Sequence, residues 1–482
     1  MKSKRRDFLK MTGLAGVGIA GGSILKGCAS EPDTNKKSGL DQLSKQLEKS
    51  HVQRFNMSGY AAPRLDTVGV GIIGLGNRGP NHMMNASRIA GVKINALCDM
   101  QPEKAESAKK MLAGTDHNPE IYTGNEEVWK KLCEREDIDF VIVTTPWYMH
   151  AEMAVYAMDH GKHAATEVVL AATLEECWQV VETAERTRKH CMMLGNTCYG
   201  KFSMVMLNMA RQGFFGDIVH GDCGYIANKM KNNFSKDMYW DMWWLKQYGN
   251  RKGNIYPIHG FGWVAQMMDI NRGDKLDFLI SVESKDFGMG GRAKELAATD
   301  DFYKPFADKD FRGNINTSVI KTSKGRTIIV QHDATTFRPP TNTQGIYGTK
   351  GSVLGYPPPA RISKGEDGWI SPEEYKALEE KYTPNIVKKM DELAKVSGSD
   401  VGGDLLMMWR LIDCLRNGLP LDQDVYDGVS WSSILPLSEW SVNNRSYPID
   451  IPDFTVGAWE TNKRNQDLTI AEGGNTKMKK MV

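Results

Sequence analysis

The chain has 482 residues, 41% of them hydrophobic and 25% charged, with a formal net charge of +2. That is the composition of a soluble globular protein. The near balance of 61 basic against 59 acidic residues argues against a nucleic-acid partner, which requires a concentrated basic face.

The first residues read as a targeting segment, outside the fold. Lys4-Arg5-Arg6-Asp7-Phe8-Leu9-Lys10 resembles a twin-arginine export signal, and a glycine-rich apolar stretch over 11–25 follows. That stretch is too short for a permanent membrane span. It ends in Leu25-Lys26-Gly27-Cys28, which resembles a bacterial lipobox with Lys26 where a small or apolar residue is usual. Residues 1–28 are therefore expected to direct export to the bacterial cell envelope or periplasm as a lipoprotein, touching the membrane only through that anchor. Residues 29–64 are polar and read as a tether. Twin-arginine export carries folded proteins, so the chain is expected to fold before it leaves the cytoplasm.

Residues 68–99 carry the most information. An apolar β-branched run over 68–73 leads into Gly74, Gly76 and Gly79, spaced G-x-G-x-x-G, and a second run over 92–98 ends at Asp99. Strand, tight turn, helix and strand in that order make a dinucleotide fingerprint. The first glycine allows the turn, and the second lets backbone N–H groups approach a pyrophosphate. The third lets the helix pack closely, with its N-terminus toward the phosphates. Asn77 and Arg78 stand in the turn and are expected to line the pyrophosphate. Asp99 should accept from a ribose 2′-OH and repel a 2′-phosphate, which favours NAD over NADP.

Further strands are predicted over 140–144, 163–167 and 191–194, with helices over 77–89, 102–112, 126–134, 149–160 and 174–188. This alternation predicts a doubly wound parallel sheet across residues 65–197. Thr145-Pro146 ends the strand over 140–144 at the edge where cofactors bind. After a linking helix over 202–212 the pattern changes. Strands over 217–227, 277–285, 317–321 and 327–333, with a turn at Ser323-Lys324-Gly325, predict an open antiparallel sheet in an α+β domain over 198–460. Residues 366–397 read as a charged helical insert. Helices over 404–416 and 426–443 are placed to pack back on the first domain. Residues 461–482 read as a basic, frayed tail. Seven cysteines follow Cys28 without a C-x-x-C pair or metal-ligand spacing. They read as mostly buried thiols, with no metal site and no disulfide framework.

A Rossmann domain followed by such a sheet resembles the glucose–fructose oxidoreductase and inositol dehydrogenase family. The segments GNIYPIHGFGWVAQ, DINRGDKLDFLISV, GRTIIVQHDAT and SEWSVNNRSYPIDIPDFT are closer still to glycoside hydrolase family 109, the NAD-dependent α-N-acetylgalactosaminidase group. The resemblance implies tightly held NAD that oxidises C3 of a bound sugar. C2 deprotonation, elimination of the C1 group, addition of water and re-reduction then follow, an exception to the usual carboxylate pair. His259, Tyr256 and Tyr199 match positions for the acid–base work; without the resemblance, His259 reads as a core histidine. Trp147 and His150 are expected beside the nicotinamide, Glu167 on its ribose or in a salt bridge, and Thr145 and Asn196 as further cofactor contacts.

Trp244, Lys246 and Arg338 are candidate substrate contacts. The cluster Tyr239, Trp240, Trp243 and Trp244 fits either a sugar platform or core. Several positions depart from the family pattern. Val169 replaces a proline after Glu167-Val168, and the stretches Arg338-Pro339-Pro340-Thr341, Ser399-Asp400-Val401-Gly402-Gly403 and Ala227-Asn228-Lys229-Met230 replace other sequences. Two other readings stay open, a plain NAD-dependent sugar dehydrogenase and a non-catalytic sugar-binding lipoprotein. Pairing through the exposed sheet into a homo-oligomer is a further expectation.

Overall fold

In the computed structural model, residues 51–366, 368–397 and 402–479 are described; the export signal and residues 399–401 lie outside them. Six short strands form a wholly parallel sheet: β1 (Val68–Ile73), β2 (Val92–Cys98), β3 (Glu120–Tyr122), β4 (Phe140–Val143), β5 (His163–Thr166) and β6 (Cys191–Met193). Their order is β3-β2-β1-β4-β5-β6. Every residue of β1, β4, β5 and β6 is buried, as expected where helices cover both faces. Those helices are α1 (Gly79–Ser87), α2 (Pro102–Met111), α3 (Trp129–Cys133), α4 (His150–Asp159) and α5 (Leu174–Thr187). Strand order reverses between β1 and β4, so a cleft opens at their C-terminal ends. β3 was not expected: three half-buried or exposed residues carry too little periodicity.

The linking helix α6 (Lys201–Arg211) leads to a second sheet made of β7 (Ile218–Ile226), β8 (Leu276–Glu283), β9 (Ile315–Thr322), β10 (Thr327–Asp333), β11 (Gly345–Gly348), β12 (Gly351–Leu354), β13 (Arg361–Lys364) and β14 (Ile449–Asp450). Its order is β13-β12-β11-β7-β10-β9-β8-β14. The expectation of an antiparallel sheet needs correction, because β7 and β10 run parallel at its centre. Helices α7 (Trp243–Asn250) and α8 (Ile258–Met267) intervene between β7 and β8, and their excursion permits the parallel return. α8 rests directly on β7: a Cβ on Gly260 would lie 2.4 Å from the Gly224 nitrogen.

Helices α9 (Gly403–Asn417), α10 (Val425–Ser432) and α11 (Ile434–Asn443) complete the fold. α9 packs on α1, and α10 on α5 and β6. Arg272 clamps the start of α10 from within the Ile-Asn-Arg-Gly-Asp-Lys segment, reaching Asp424 at 2.6 Å and both oxygens of Asp427 at 2.7 Å.

Three segments differ from expectation. The described part of the polar tether, residues 51–64, is packed: His51 and the Arg54 amide reach Glu185, and Gln53 donates to Tyr426. The C-terminal tail is ordered through residue 479, because Asp413, fully buried, accepts from the Gly474 and Thr476 amides, and Met478 bridges to Ile89. Of the charged insert, helix Pro372–Tyr382 buries nothing, but helix Asn385–Ser397 buries Ile386, Val387, Met390 and Leu393. All seven cysteines from Cys98 to Cys414 are buried free thiols. Among the described residues no helix is long and apolar enough to cross a membrane.

Asp413 also holds Arg410 and Asn417, so Asp413→Ala leaves buried donors without partners. The expected loss is about 3 kcal/mol of unfolding free energy, with earlier protease cleavage beyond residue 461. Unchanged denaturation and cleavage would show that the tail is held elsewhere.

Candidate functional site

The turn after β1 shows three glycines with different tasks. Gly74 has φ +90°, and a Cβ there would lie 2.8 Å from the Thr144 carbonyl carbon. A Cβ on Gly79 would lie 2.0 Å from the Gly74 oxygen, whereas one on Gly76 would meet nothing within 4 Å. Gly74 and Gly79 are thus demanded by the protein's own packing. Gly76 instead leaves open the side that faces the cleft, the cradle a pyrophosphate needs. At the end of β2, Asp99 accepts the Leu75 amide at 2.6 Å and the Gln101 amide at 2.9 Å. Its carboxylate is held at the cleft wall near Gln101 and Trp129. These residues fit an adenosine ribose at this end and a dinucleotide along the turn.

The sheet order places β5 three strands from β2, so the cleft's other end is walled by Thr145, Trp147, Glu167 and Tyr256. Here Arg78 Nε lies 2.7 Å from Glu167, and its Nη2 2.7 Å from Asp404 at the start of α9. His82 Nε2 reaches the same Glu167 oxygen at 2.6 Å, and Asn196 donates to Asp404 at 2.9 Å. Burial alone would raise the Glu167 carboxyl, but the His82 hydrogen bond and the Arg78 charge outweigh it. They hold Glu167 well below the ordinary carboxylate range.

Above this cluster, Tyr256 Oη lies 3.0 Å from His259 Nε2 at the first turn of α8. The close seat of α8 on β7 brings Tyr225 against both rings. Trp147 stacks on Tyr256 at 5.5 Å, and Trp244 meets Trp147 edge-on at 4.5 Å. Burial pushes the His259 imidazole down to about 4, so the ring is neutral at pH 7. Burial also raises the Tyr256 phenol.

The cleft therefore gathers Gly74, Gly76, Asn77, Arg78, Asp99, Thr145, Trp147, Glu167, Trp244 and Tyr256, with His259 bonded behind Tyr256 and Gly79 beneath the turn. Other residues take different places. One oxygen of the Glu167 carboxylate takes Arg78 and His82, the salt-bridge alternative, while Glu167 still lines the cleft. His150 borders the cleft, but its ring nitrogens lie 2.6 and 2.8 Å from the Val169 and Thr145 carbonyls, so it braces the loop. Asn196 turns to Asp404, and Asn77 donates to the Met238 carbonyl at 2.9 Å, tying the Trp240–Trp244 region over the cleft.

Tyr199 does not line the cleft. It is buried with its hydroxyl 3.3 Å from Asp422, which Arg410 also holds. Lys246 pairs with Asp241 at the surface, and Arg338 lies exposed beside Gln331; neither lines the cleft. Three residues of the site were not expected. His82 follows Arg78 by four residues on α1, a spacing that puts both on one face. Tyr225 and Asp404 carry no local signal, since Asp404 meets Arg78 across 326 residues.

Comparison with known proteins agrees with this architecture. Residues 68–194 match the model of the oxidoreductase family with an NAD-binding Rossmann fold, and residues 199–461 match that of the glycosyl hydrolase 109 C-terminal domain. A glycosyl hydrolase family 109 protein of Shewanella pealeana is 42% identical over 469 residues, covering 96% of this chain and 98% of that protein. An alpha-N-acetylgalactosaminidase of Shewanella oneidensis is 41% identical over 468 residues, covering 95% and 97%. Levoglucosan dehydrogenase in complex with NADH and levoglucosan shares the fold at a TM-score of 0.59 and 16% identity, covering 80% of this chain and 100% of that one. The myo-inositol dehydrogenase of Lactobacillus casei, in complex with NAD(H) and myo-inositol, does so at 0.55 and 17%, covering 81% and 99%. The cofactor of this fold is NAD.

Gly76→Ala is expected to leave the melting temperature unchanged, since its Cβ enters open space, and to weaken NAD binding at least about tenfold. Fluorescence titration checks this; undiminished affinity would show that nothing approaches Gly76.

Proposed function

The chain belongs to the glycosyl hydrolase 109 family, and from that premise we propose that it hydrolyses glycosides through transient oxidation of C3, with α-N-acetylgalactosaminides the first substrates to try. One observation carries the route. Most glycosidases set two carboxyl groups across the sugar, and the carboxylates lining this cleft are Asp99, Glu126 and Glu167. Asp99 and Glu126 belong to the adenosine end, and Glu167 is occupied by Arg78 and His82. The group left for proton transfer at the other end is the Tyr256–His259 pair.

Bound NAD supplies a reversible acceptor for the C3 hydrogen. Tyr256 accepts the O3 proton as its own proton passes to the neutral Nε2 of His259. The ketone formed at C3 acidifies C2–H; cleft water takes that proton as the C1–O bond breaks, and the departing oxygen takes up a proton to release the aglycone. Water then adds at C1, C2 regains a proton, and the pair returns the proton to O3 as C3 is reduced. Trp147 and Trp244 offer aromatic surface to the sugar's C–H patches. Because the cycle ends with the cofactor restored, no external NAD pool is needed. That suits the exported lipoprotein suggested by residues 1–28.

The test is turnover of α- and β-linked aryl glycosides in D2O, followed by mass spectrometry. Aryl release with deuterium at C2 is expected. NADH or a keto-sugar accumulating without release would replace hydrolysis by sugar dehydrogenation. His259→Ala should lower kcat by about 10²–10⁴-fold with NAD still bound; near-normal turnover would remove His259 from the chemistry. A base must be neutral to accept a proton, and burial keeps His259 neutral down to about pH 4. The acid limb of kcat/KM should therefore lie near pH 4, and a limb near 6.5 would contradict the buried environment.

A further inference from the structure

Met238, Tyr239, Trp240, Trp243 and Trp244 line the same cleft as Gly74, Gly76, Asn77 and Asp99. One segment that follows β7 therefore faces the glycine turn of the first sheet. It is fixed at its ends by the buried Phe234 and by the buried Met242, just ahead of α7. Between them, residues 235–241 are all exposed or half-buried. A span with so little buried surface opens at lower cost than the core. It is fastened across the cleft at two places. The Asn77 side-chain amide donates to the Met238 carbonyl at 2.9 Å, and Trp243 and Trp244 meet Trp147 edge-on at 5.1 and 4.5 Å. Its backbone bends at Asp241 and Met242, with φ +51° and +49°, a conformation that L side chains resist. Lys246 reaches back to pair with Asp241. Such strain persists only where contacts hold it, and a bend at a helix start is a place where a hinge works.

We propose that residues 235–242 form a strap that must lift for the dinucleotide to enter or leave, and that Asn77 is its latch. A pyrophosphate cradled at Gly76 sits beside Asn77, and so beside the carbonyl to which Asn77 donates. Both partners in the latch are protein atoms. Breaking it lowers the barrier to entry and to exit together, whereas losing a direct contact to the cofactor speeds exit alone. The strap slows exchange of a cofactor that a self-restoring cycle has no need to exchange. The inference needs only NAD as the cofactor, and it holds whether the sugar chemistry is hydrolysis or dehydrogenation.

The experiment is stopped-flow mixing of the full chain with NADH, read by energy transfer from the tryptophans of the cleft. Exit is read by chasing bound NADH with excess NAD+. For the wild type, the observed rate of uptake should level off as NADH rises, because opening precedes binding. A rate that stays proportional to concentration overturns the proposal, whether or not any variant folds. Asn77→Ala should raise the levelled-off rate and the exit rate together by about three- to tenfold, the worth of one hydrogen bond, with the dissociation constant changed by less than about twofold. Faster exit with unchanged entry would make Asn77 a cofactor contact and overturn the latch. Unchanged rates in both directions would overturn it as well.

Discussion

The contact on which the rest depends is the guanidinium of Arg78 held between two carboxylates from distant parts of the chain. Glu167 ends the fifth strand of the parallel sheet, and Asp404 begins a helix beyond the second sheet. Taking such charges out of water is costly unless each is paired. Here the pairing is complete: His82 takes part of Glu167, and Asn196 part of Asp404. The glycine turn, the Glu167 end of the cleft and the late helices are thereby locked into one arrangement. A loss at any corner leaves a partly buried charge behind.

The same logic governs how the later chain closes over the first sheet. Arg272 pairs with Asp424 and Asp427 at a helix start, and Arg410 with Asp413 and Asp422 inside the late helices. Each guanidinium is buried and meets two carboxylates. The same demand packs two polar segments among the described residues: Glu185 takes those near position 51, and Asp413 takes those near 475. Segments that look solvated by composition are recruited because buried polar groups require partners.

Function follows from what those junctions leave free. Asp99 takes the Leu75 and Gln101 amides and Glu167 takes Arg78 and His82, which leaves the hydrogen-bonded Tyr256 and His259 as the pair on which the proposed proton transfer rests. Their environment is apolar, made of Trp147, Trp244 and Tyr225. That environment lowers the histidine's basicity but keeps it neutral and able to accept a proton across the physiological range. The aromatic cluster thus serves both readings open from its spacing. It is core where it packs, and wall where it meets the cleft.

Local pattern was sufficient for five of the first sheet's six strands, its glycine turn and Asp99, because these depend on near neighbours: β-branched runs, φ restrictions and a strand–turn–helix order. It also pointed to NAD, whereas Tyr256 and His259, which meet at a helix start, were singled out only through the family resemblance. It could not show that β10 would return parallel to β7, since that depends on the path of intervening helices. Nor could it show that Tyr199 would turn to a buried Asp422, that Glu167 would be taken by Arg78 and His82, or that the tail would bind Asp413. Those outcomes were settled by long-range pairing. A buried charge must find its partner wherever the fold brings one, and spacing along the chain carries no record of that search.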